Sequence, residues 1–218
     1  MASAARRSRA GLAAVKVVIY DCDGVLIDSR RANAAFYNHL LEKFGLGPIT
    51  PRQLDFVHSS TAREAVDFLF KGTPWMAAAQ NYQLNIDNRP FLSLLSPEPH
   101  IREVLAALRP GYHTAIATNR GKSLPLVLQE LGLDVLFELT VSSYDVAKPK
   151  PHPECLLKIL KHFRAEPREA VYIGDAPVDL LVSRHAGVNF VAYKNPGLKA
   201  RYHLQDHREL LEILPGFA

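Results

Sequence analysis

Apolar and polar positions along this chain follow two periods, one near two and one near 3.6. Val15, Val17, Val18 and Ile19 form a short β-branched run that predicts a buried strand. From residue 30 to 44, Phe36, Leu40 and Phe44 recur every four positions, which predicts a helix ended by Gly45. Thr61-Ala62-Arg63-Glu64 fits a capping box, followed by the apolar stripe Ala65, Val66, Leu69 and Phe70. Thr73-Pro74 predicts another helix start, with Pro74 at the first position, where its missing donor costs nothing. Residues 30–95 therefore read as helical, without a strand, up to the Ser96-Pro97-Glu98-Pro99 break. Beyond it, helix and strand alternate. Helical stripes at Ile101/Val104/Leu105/Leu108, Leu124/Val127/Leu128/Leu131 and Leu156/Ile159/Leu160/Phe163 precede strands at 112–118, 137–141 and 170–174. A shorter helix over 178–186 ends at Gly187, a strand spans 188–193, and a terminal helix covers 206–214.

Strands separated by helices imply right-handed crossovers and a parallel sheet covered on both faces. The expected fold is α/β, a doubly wound parallel sheet with an inserted helical lobe. Residues 15–29 and 96–218 form the core, 30–95 the lobe, and the Ala-, Arg- and Ser-rich residues 1–14 a disordered tail. The net charge of +4 looks basic, but Arg6, Arg7 and Arg9 sit in that tail. Without them 23 basic residues face 22 acidic ones, which gives no electrostatic case for nucleic acid. Cys22 and Cys155, without a CxxC or a histidine cluster, argue against a disulfide frame or a zinc site. No apolar run approaches a membrane span, so a cytoplasmic protein, monomer or homodimer, is expected.

The first strand runs into Asp21 and Asp23. Its period of two puts both carboxylates on one side, with Cys22 facing the other way, and Gly24 lets the backbone turn away. Paired carboxylates at a strand end repel and lose solvation unless a cation joins them, and Mg²⁺ takes oxygen ligands and bridges to phosphate. In a doubly wound sheet, function sits at the carboxyl ends of the strands. There the later strands offer Thr118-Asn119, the Lys148-Pro149-Lys150-Pro151-His152-Pro153 loop, and Gly174-Asp175-Ala176-Pro177-Val178-Asp179. Nucleophile, hydrogen-bond donors, cation and metal carboxylates make an inventory for phosphoryl transfer. Taken singly, each has a plainer reading as a turn, a cap or a solvated loop lysine. Arg63 suits either a clamp for an anionic substrate or an exposed helix position.

These stations, in this order, resemble the haloacid dehalogenase superfamily of phosphohydrolases, over residues 15 to about 193. The Asp-Cys-Asp-Gly-Val-Leu element with Asp28-Ser29, and the Gly-Asp-x-x-x-Asp element, carry the resemblance together. The Lys-Pro-x-Pro-x-Pro stretch is similar to that of the helical-cap subgroup, which includes phosphoglycolate phosphatases and β-phosphoglucomutases. Cys22 departs from the bulky apolar residue common between the two aspartates. The resemblance implies a Rossmann-like core and an Mg²⁺-dependent phosphatase acting on a small phosphate monoester, phosphoglycolate first, through an aspartyl-phosphate. Asp21 would be the nucleophile and Asp23 the general acid and base, its backbone carbonyl binding the metal. Asp175 would ligate the metal, and Asp179 directly or at one remove. Thr118 and Asn119 would donate to the phosphoryl group, Lys148 would neutralise charge beside Asp21, and Gly24 would admit the phosphoryl oxygens. Phosphosugar mutase and a non-catalytic binding protein are the alternatives on the same fold.

Overall fold

The structure is a computed structural model that describes residues 14–217. The expectation of a disordered tail over 1–14 therefore falls, except for Ala14, outside the described residues. The chain opens with strand β1 (Val17–Tyr20) and a two-residue strand β2 (Ile27–Asp28). Five helices follow: α1 (Arg30–Lys43), α2 (Pro51–Ser59), α3 (Ala62–Leu69), α4 (Met76–Asn85) and α5 (Arg89–Leu92). After β3 (Ser96–Pro97) the order is α6 (Ile101–Leu108), β4 (His113–Ala117), α7 (Leu124–Glu130), β5 (Leu139–Val141) and α8 (Glu154–Phe163). Then come β6 (Ala170–Gly174), α9 (Pro177–Ala186), β7 (Asn189–Tyr193), β8 (Tyr202–Leu204) and α10 (Glu209–Ile213).

Six strands form one parallel sheet in the order β5-β4-β1-β6-β7-β8. The period of two sorts their side chains onto two faces. Val18, Tyr20, Ile116, Val171, Ile173 and Val191 join α6, α7 and α10 in one core. Val17, Ile19, Ala115, Ala117, Tyr172 and Phe190 join α8 and α9 in the other. Buried on both faces, the central strands need no polar alternation, so they read as apolar runs. The chain leaves β1 toward β4 on one side and returns to β6 on the other. That makes the carboxyl ends of β1 and β6 the switch point where a doubly wound sheet opens a crevice.

Helices α1 to α4 pack round a third core of Tyr37, Leu40, Leu41, Val57, Val66, Leu69 and Phe70. Thr61 caps α3 as the sequence predicts: its hydroxyl accepts from Glu64 N at 3.2 Å, and Glu64 accepts from Thr61 N at 2.9 Å. A second box, Thr50 with Gln53, starts α2, which the apolar periodicity alone does not mark. Between the helices and the sheet, β2 and β3 pair antiparallel, Ile27 with Pro97 and Asp28 with Ser96. This ribbon ties together the two crossings between helical lobe and sheet.

Three elements differ from expectation. Helix α4 starts at Met76 because the Thr73 hydroxyl binds the Phe70 carbonyl at 2.8 Å, holding Thr73 and Pro74 in a turn. The terminal helix starts only at Glu209, since Asp206 folds back to accept from Arg208 N at 2.9 Å. Strand β8, too short for a visible pattern, extends the sheet edge through Lys194 N and Leu204 O, 2.8 Å apart. Among the described residues, no helix is long and apolar enough to cross a membrane.

Replacing Thr61 with Ala removes a satisfied N-cap, and denaturant titration should show a loss of about 1 kcal/mol of stability. An unchanged midpoint would mean that the Glu64 contact does not hold the start of α3.

Candidate active site

The sheet extends into the site by backbone bonds past the strand ends. Asp21 N donates to Ile173 O at 2.9 Å, and Thr118 N to Val141 O at 3.0 Å. Asp21 and Asp23 line one cavity, while Cys22 is buried in the core on the other face. From β6, Asp175 and Asp179 turn toward Asp21, and the three residues bring ligand oxygens within 4.8 Å of one another. Two glycines make that approach possible. A Cβ on Gly24, at φ +79°, would lie 2.3 Å from Asp175 Oδ2, and one on Gly174 would lie 2.3 Å from Asp179 Cβ.

The cation beside Asp21 is Lys150, not Lys148. Lys150 is 3% exposed, and its Nζ lies 2.9 Å from Asp21 Oδ1, 2.7 Å from Asp179 Oδ1 and 2.9 Å from the Tyr172 hydroxyl. Lys148 is exposed, and its side chain makes no hydrogen bond or ion pair among the described residues. Its backbone N donates to Glu154 Oε2 at 3.1 Å, while Ala147 N donates to Glu154 Oε1 at 3.0 Å. Glu154 thus pins the first part of the loop to the start of α8 on the outer surface. Asn119 turns the next part inward: its Oδ1 accepts from Lys150 N at 3.1 Å, and its Nδ2 donates toward Lys150 O at 3.3 Å. The Asn119 amide also reaches Ser59 O in the helical lobe at 3.2 Å, so it braces the loop and does not stand free in the cavity. Thr118 is buried, with its hydroxyl accepting from Arg120 N at 3.1 Å.

Charge decides how these groups behave. Burial raises the Asp21 pKa, Asp179 raises it further, and Lys150 only partly offsets them, leaving it at about 7. Asp175, desolvated and facing Asp179 and Asp21, reaches about 8. Lys150 follows the opposite rule. Burial opposes its charge, but Asp179 and Asp21 outweigh burial and hold the ammonium well above its ordinary pKa. The 2.9 Å contact between Lys150 and Asp21 Oδ1 is an ion pair by distance but not aligned as a hydrogen bond, so that buried oxygen keeps an unused acceptor site. Asp179 is spent differently: Oδ1 faces Lys150 and the Tyr172 hydroxyl, and Oδ2 accepts from Ala176 N at 3.0 Å.

Asp23 has its own partners. Arg120 donates through Nε to Oδ2 at 2.9 Å and through a terminal nitrogen to Oδ1, where the Ser29 hydroxyl also donates. Burial pushes the Asp23 pKa up, but the Arg120 charge and these hydrogen bonds prevail and hold it below the ordinary carboxylate value. In the sequence, Arg120 carries no signal beyond its place directly after Thr118-Asn119. Arg63 is exposed on α3 and lies outside the cavity lining, its carbonyl accepting from Gln80 at 2.9 Å.

The chain is similar to known proteins over most of its length. The family described as haloacid dehalogenase-like hydrolase matches residues 18–193. A protein of Caldanaerobacter subterraneus, provisionally named pyrophosphatase PpaX, is 28% identical over 93% of this chain and 96% of its own length. A Nitrosococcus oceani protein named phosphoglycolate phosphatase is 30% identical over 81% of this chain and 82% of its own. Among solved structures, a Geobacter sulfurreducens HAD-superfamily hydrolase of subfamily IA is 40% identical, with a TM-score of 0.76 over 93% of this chain and 97% of that one. With strand-end carboxylates, buried lysine and sheet order all in place, the chain belongs to the haloacid dehalogenase-like hydrolases and is a phosphatase of that family.

Proposed function

We propose that the protein hydrolyses a small phosphate monoester through an aspartyl-phosphate on Asp21, with Mg²⁺ bound among the strand-end carboxylates. The observation that carries this reading is the convergence of Asp21, Asp175 and Asp179 on one point with Lys150 at its side. The donor set fits a hard cation: all-oxygen, partly desolvated, with two carboxyl pKa values raised by burial and then by neighbouring carboxylates, and one buried oxygen lacking an aligned donor. Asp21, Asp175 and the Asp23 carbonyl are the ligands of this proposal. Asp179 accepts from Lys150 and from Ala176 N, so it would stand at one remove from the metal. A bound divalent ion would draw charge from the transferring phosphoryl oxygens.

The residues of the chain divide the remaining work. An Asp21 carboxylate oxygen attacks phosphorus while the bond from phosphorus to the alcohol oxygen breaks. Asp23 gives that oxygen its proton, then takes one from the water that cleaves the acyl-phosphate. The net change is ester plus water to alcohol plus phosphate. Lys150 favours the ionised form of Asp21 against burial and Asp179, and offsets charge on the phosphoryl group, the role first expected of Lys148. Since Arg120 holds Asp23 ionised, the incoming phosphate must draw Arg120 away before Asp23 can carry a proton. Thr118, buried at the end of β4, and the backbone beside Gly24 would face the phosphoryl oxygens. Asn119 acts by fixing the Lys150 loop. The helical lobe serves as a cap over the cavity, excluding bulk water from the first step. Phosphoglycolate is the reference substrate, because the sequence resemblance and a relative's name both bring it forward.

A panel of phosphate monoesters should release inorganic phosphate with Mg²⁺ and none with excess EDTA, and Asp21→Asn should lower turnover at least about 10³-fold. Silence toward every ester with Mg²⁺ present would sink the proposal. Lys150→Met leaves Asp21 and Asp179 buried without their cation, so it should cost about 3–5 kcal/mol in urea titration and abolish turnover. Lys148→Met should leave turnover within about twofold; the reverse ranking would restore Lys148 to the site.

The raised carboxyl pKa values set a pH dependence. Asp21 and Asp175 bind protons in the folded protein up to about 7 and about 8, but release them near 4 when unfolded. Between those limits the folded state holds more protons, so metal-free stability falls as pH rises. Chemical denaturation from pH 5 to 8 should show that fall, and Asp175→Asn should flatten it. An equal slope in both proteins would contradict the assigned crowding.

A further inference from the structure

The cavity that holds Asp21 and Asp23 continues into the helical lobe, and its far wall is apolar. Phe36, Tyr37, Phe91, Leu92, Leu95 and Val127 line it, with Phe36 and Phe91 packed edge to face at 5.5 Å. The free volume is about 100 Å³. One water needs only about 10–15 Å³ of such space, so several heavy atoms fit beyond the phosphoryl group.

Two of the cations lining the cavity, one buried and one half-buried, are held by carboxylates. Lys150 is shared by Asp21 and Asp179, and Arg120 spans both oxygens of Asp23. Lys122 is exposed, and its ammonium donates to the Leu84 carbonyl at 3.0 Å, bridging the core to the end of α4. Arg63 lies outside the lining. Of the amides, Asn33 Nδ2 contacts His58 at 3.0 Å and Asn88 Nδ2 contacts Ile86 O at 3.3 Å, while Gln83 lines the cavity as well. A second carboxylate or phosphate on the substrate would leave water for a wall whose one cation without a carboxylate partner among the described residues, Lys122, is exposed and bonded to the Leu84 carbonyl. Desolvating an anion without a partner is costly, whereas an apolar group gains by entering.

We propose that the preferred substrate is the phosphate monoester of an uncharged alcohol bearing an apolar, ring-sized group, which the Phe36–Phe91 wall receives. This deepens the phosphatase reading and rests on it. It ranks such esters above phosphoglycolate, whose leaving alcohol carries a carboxylate.

The test compares benzyl phosphate, ethyl phosphate and phosphoglycolate with Mg²⁺, all three releasing primary alcohols, so that wall contact is what chiefly separates the first two. Benzyl phosphate should exceed ethyl phosphate in kcat/KM at least about tenfold, mostly through KM. It should exceed phosphoglycolate by a similar factor. Phe91→Ala and, separately, Leu95→Ala should bring the benzyl-to-ethyl ratio toward one. Having two variants guards against a folding defect in either. Turnover of ethyl phosphate without a benzyl preference, or phosphoglycolate as the best of the three, would overturn this inference while leaving the phosphatase reading intact. Should no ester turn over, calorimetric binding to the Asp21→Asn protein with Mg²⁺ decides. Benzyl phosphate binding at least about tenfold tighter than ethyl phosphate supports the apolar subsite, and equal binding refutes it.

Discussion

Three buried or half-buried carboxylates converge on one point with a single lysine between two of them, and the surrounding structure serves to hold that arrangement. Left alone, such a cluster is unstable, because each acid lost its water on folding and gained a like-charged neighbour. Lys150 offsets part of the cost at Asp21 and Asp179 but leaves Asp175 raised to about 8. A sheet gathers these groups without loops of its own. Asp21 extends β1, Asp175 follows β6, and the two strands are hydrogen-bonded neighbours at the point where the winding reverses. The repulsion is thus built into a rigid frame that cannot relax by moving one acid away.

Two kinds of precision support that frame. The glycines act by absence, since any side chain at Gly24 or Gly174 would occupy space taken by Asp175 or Asp179. Asn119 and Glu154 act by bonding, dividing one proline-rich loop into an outward and an inward half. The difference between Lys148 and Lys150 is decided there. Sequence spacing places both lysines in the same loop, each preceding a proline, and nothing in their own chemistry separates them. Glu154 holds the first outward, and the side-chain amide of Asn119, 31 positions before Lys150, turns the second inward.

This explains which parts of the molecule were legible from residues alone. Strand periods and helical stripes reflect local geometry, so β1, α6, α8 and β6 emerge within a few positions. The carboxylates were legible because a strand end fixes their direction. Arg120 was not, because its role depends on reaching Asp23, 97 positions earlier in the chain, and an isolated arginine after a strand has no periodicity to mark it. Short elements escaped for a related reason. The pairing of β2 with β3 joins two-residue segments 70 positions apart, with too few residues to show any pattern.

The apolar wall of the cavity escapes a sequence reading in a more general way. Phe36 occupies a helical stripe position, where it is indistinguishable from a residue of the lobe's own core, and in fact it packs against that core as well. Leu92 and Leu95 likewise pack against the core beneath the sheet while lining the cavity. The same side chains that stabilise the lobe therefore shape the space opposite the carboxylates. Phosphoryl chemistry is encoded by residue types that a buried core avoids, so it stands out against the pattern. Selection of the alcohol is encoded by residue types that a core prefers, and only the arrangement in space separates the two roles.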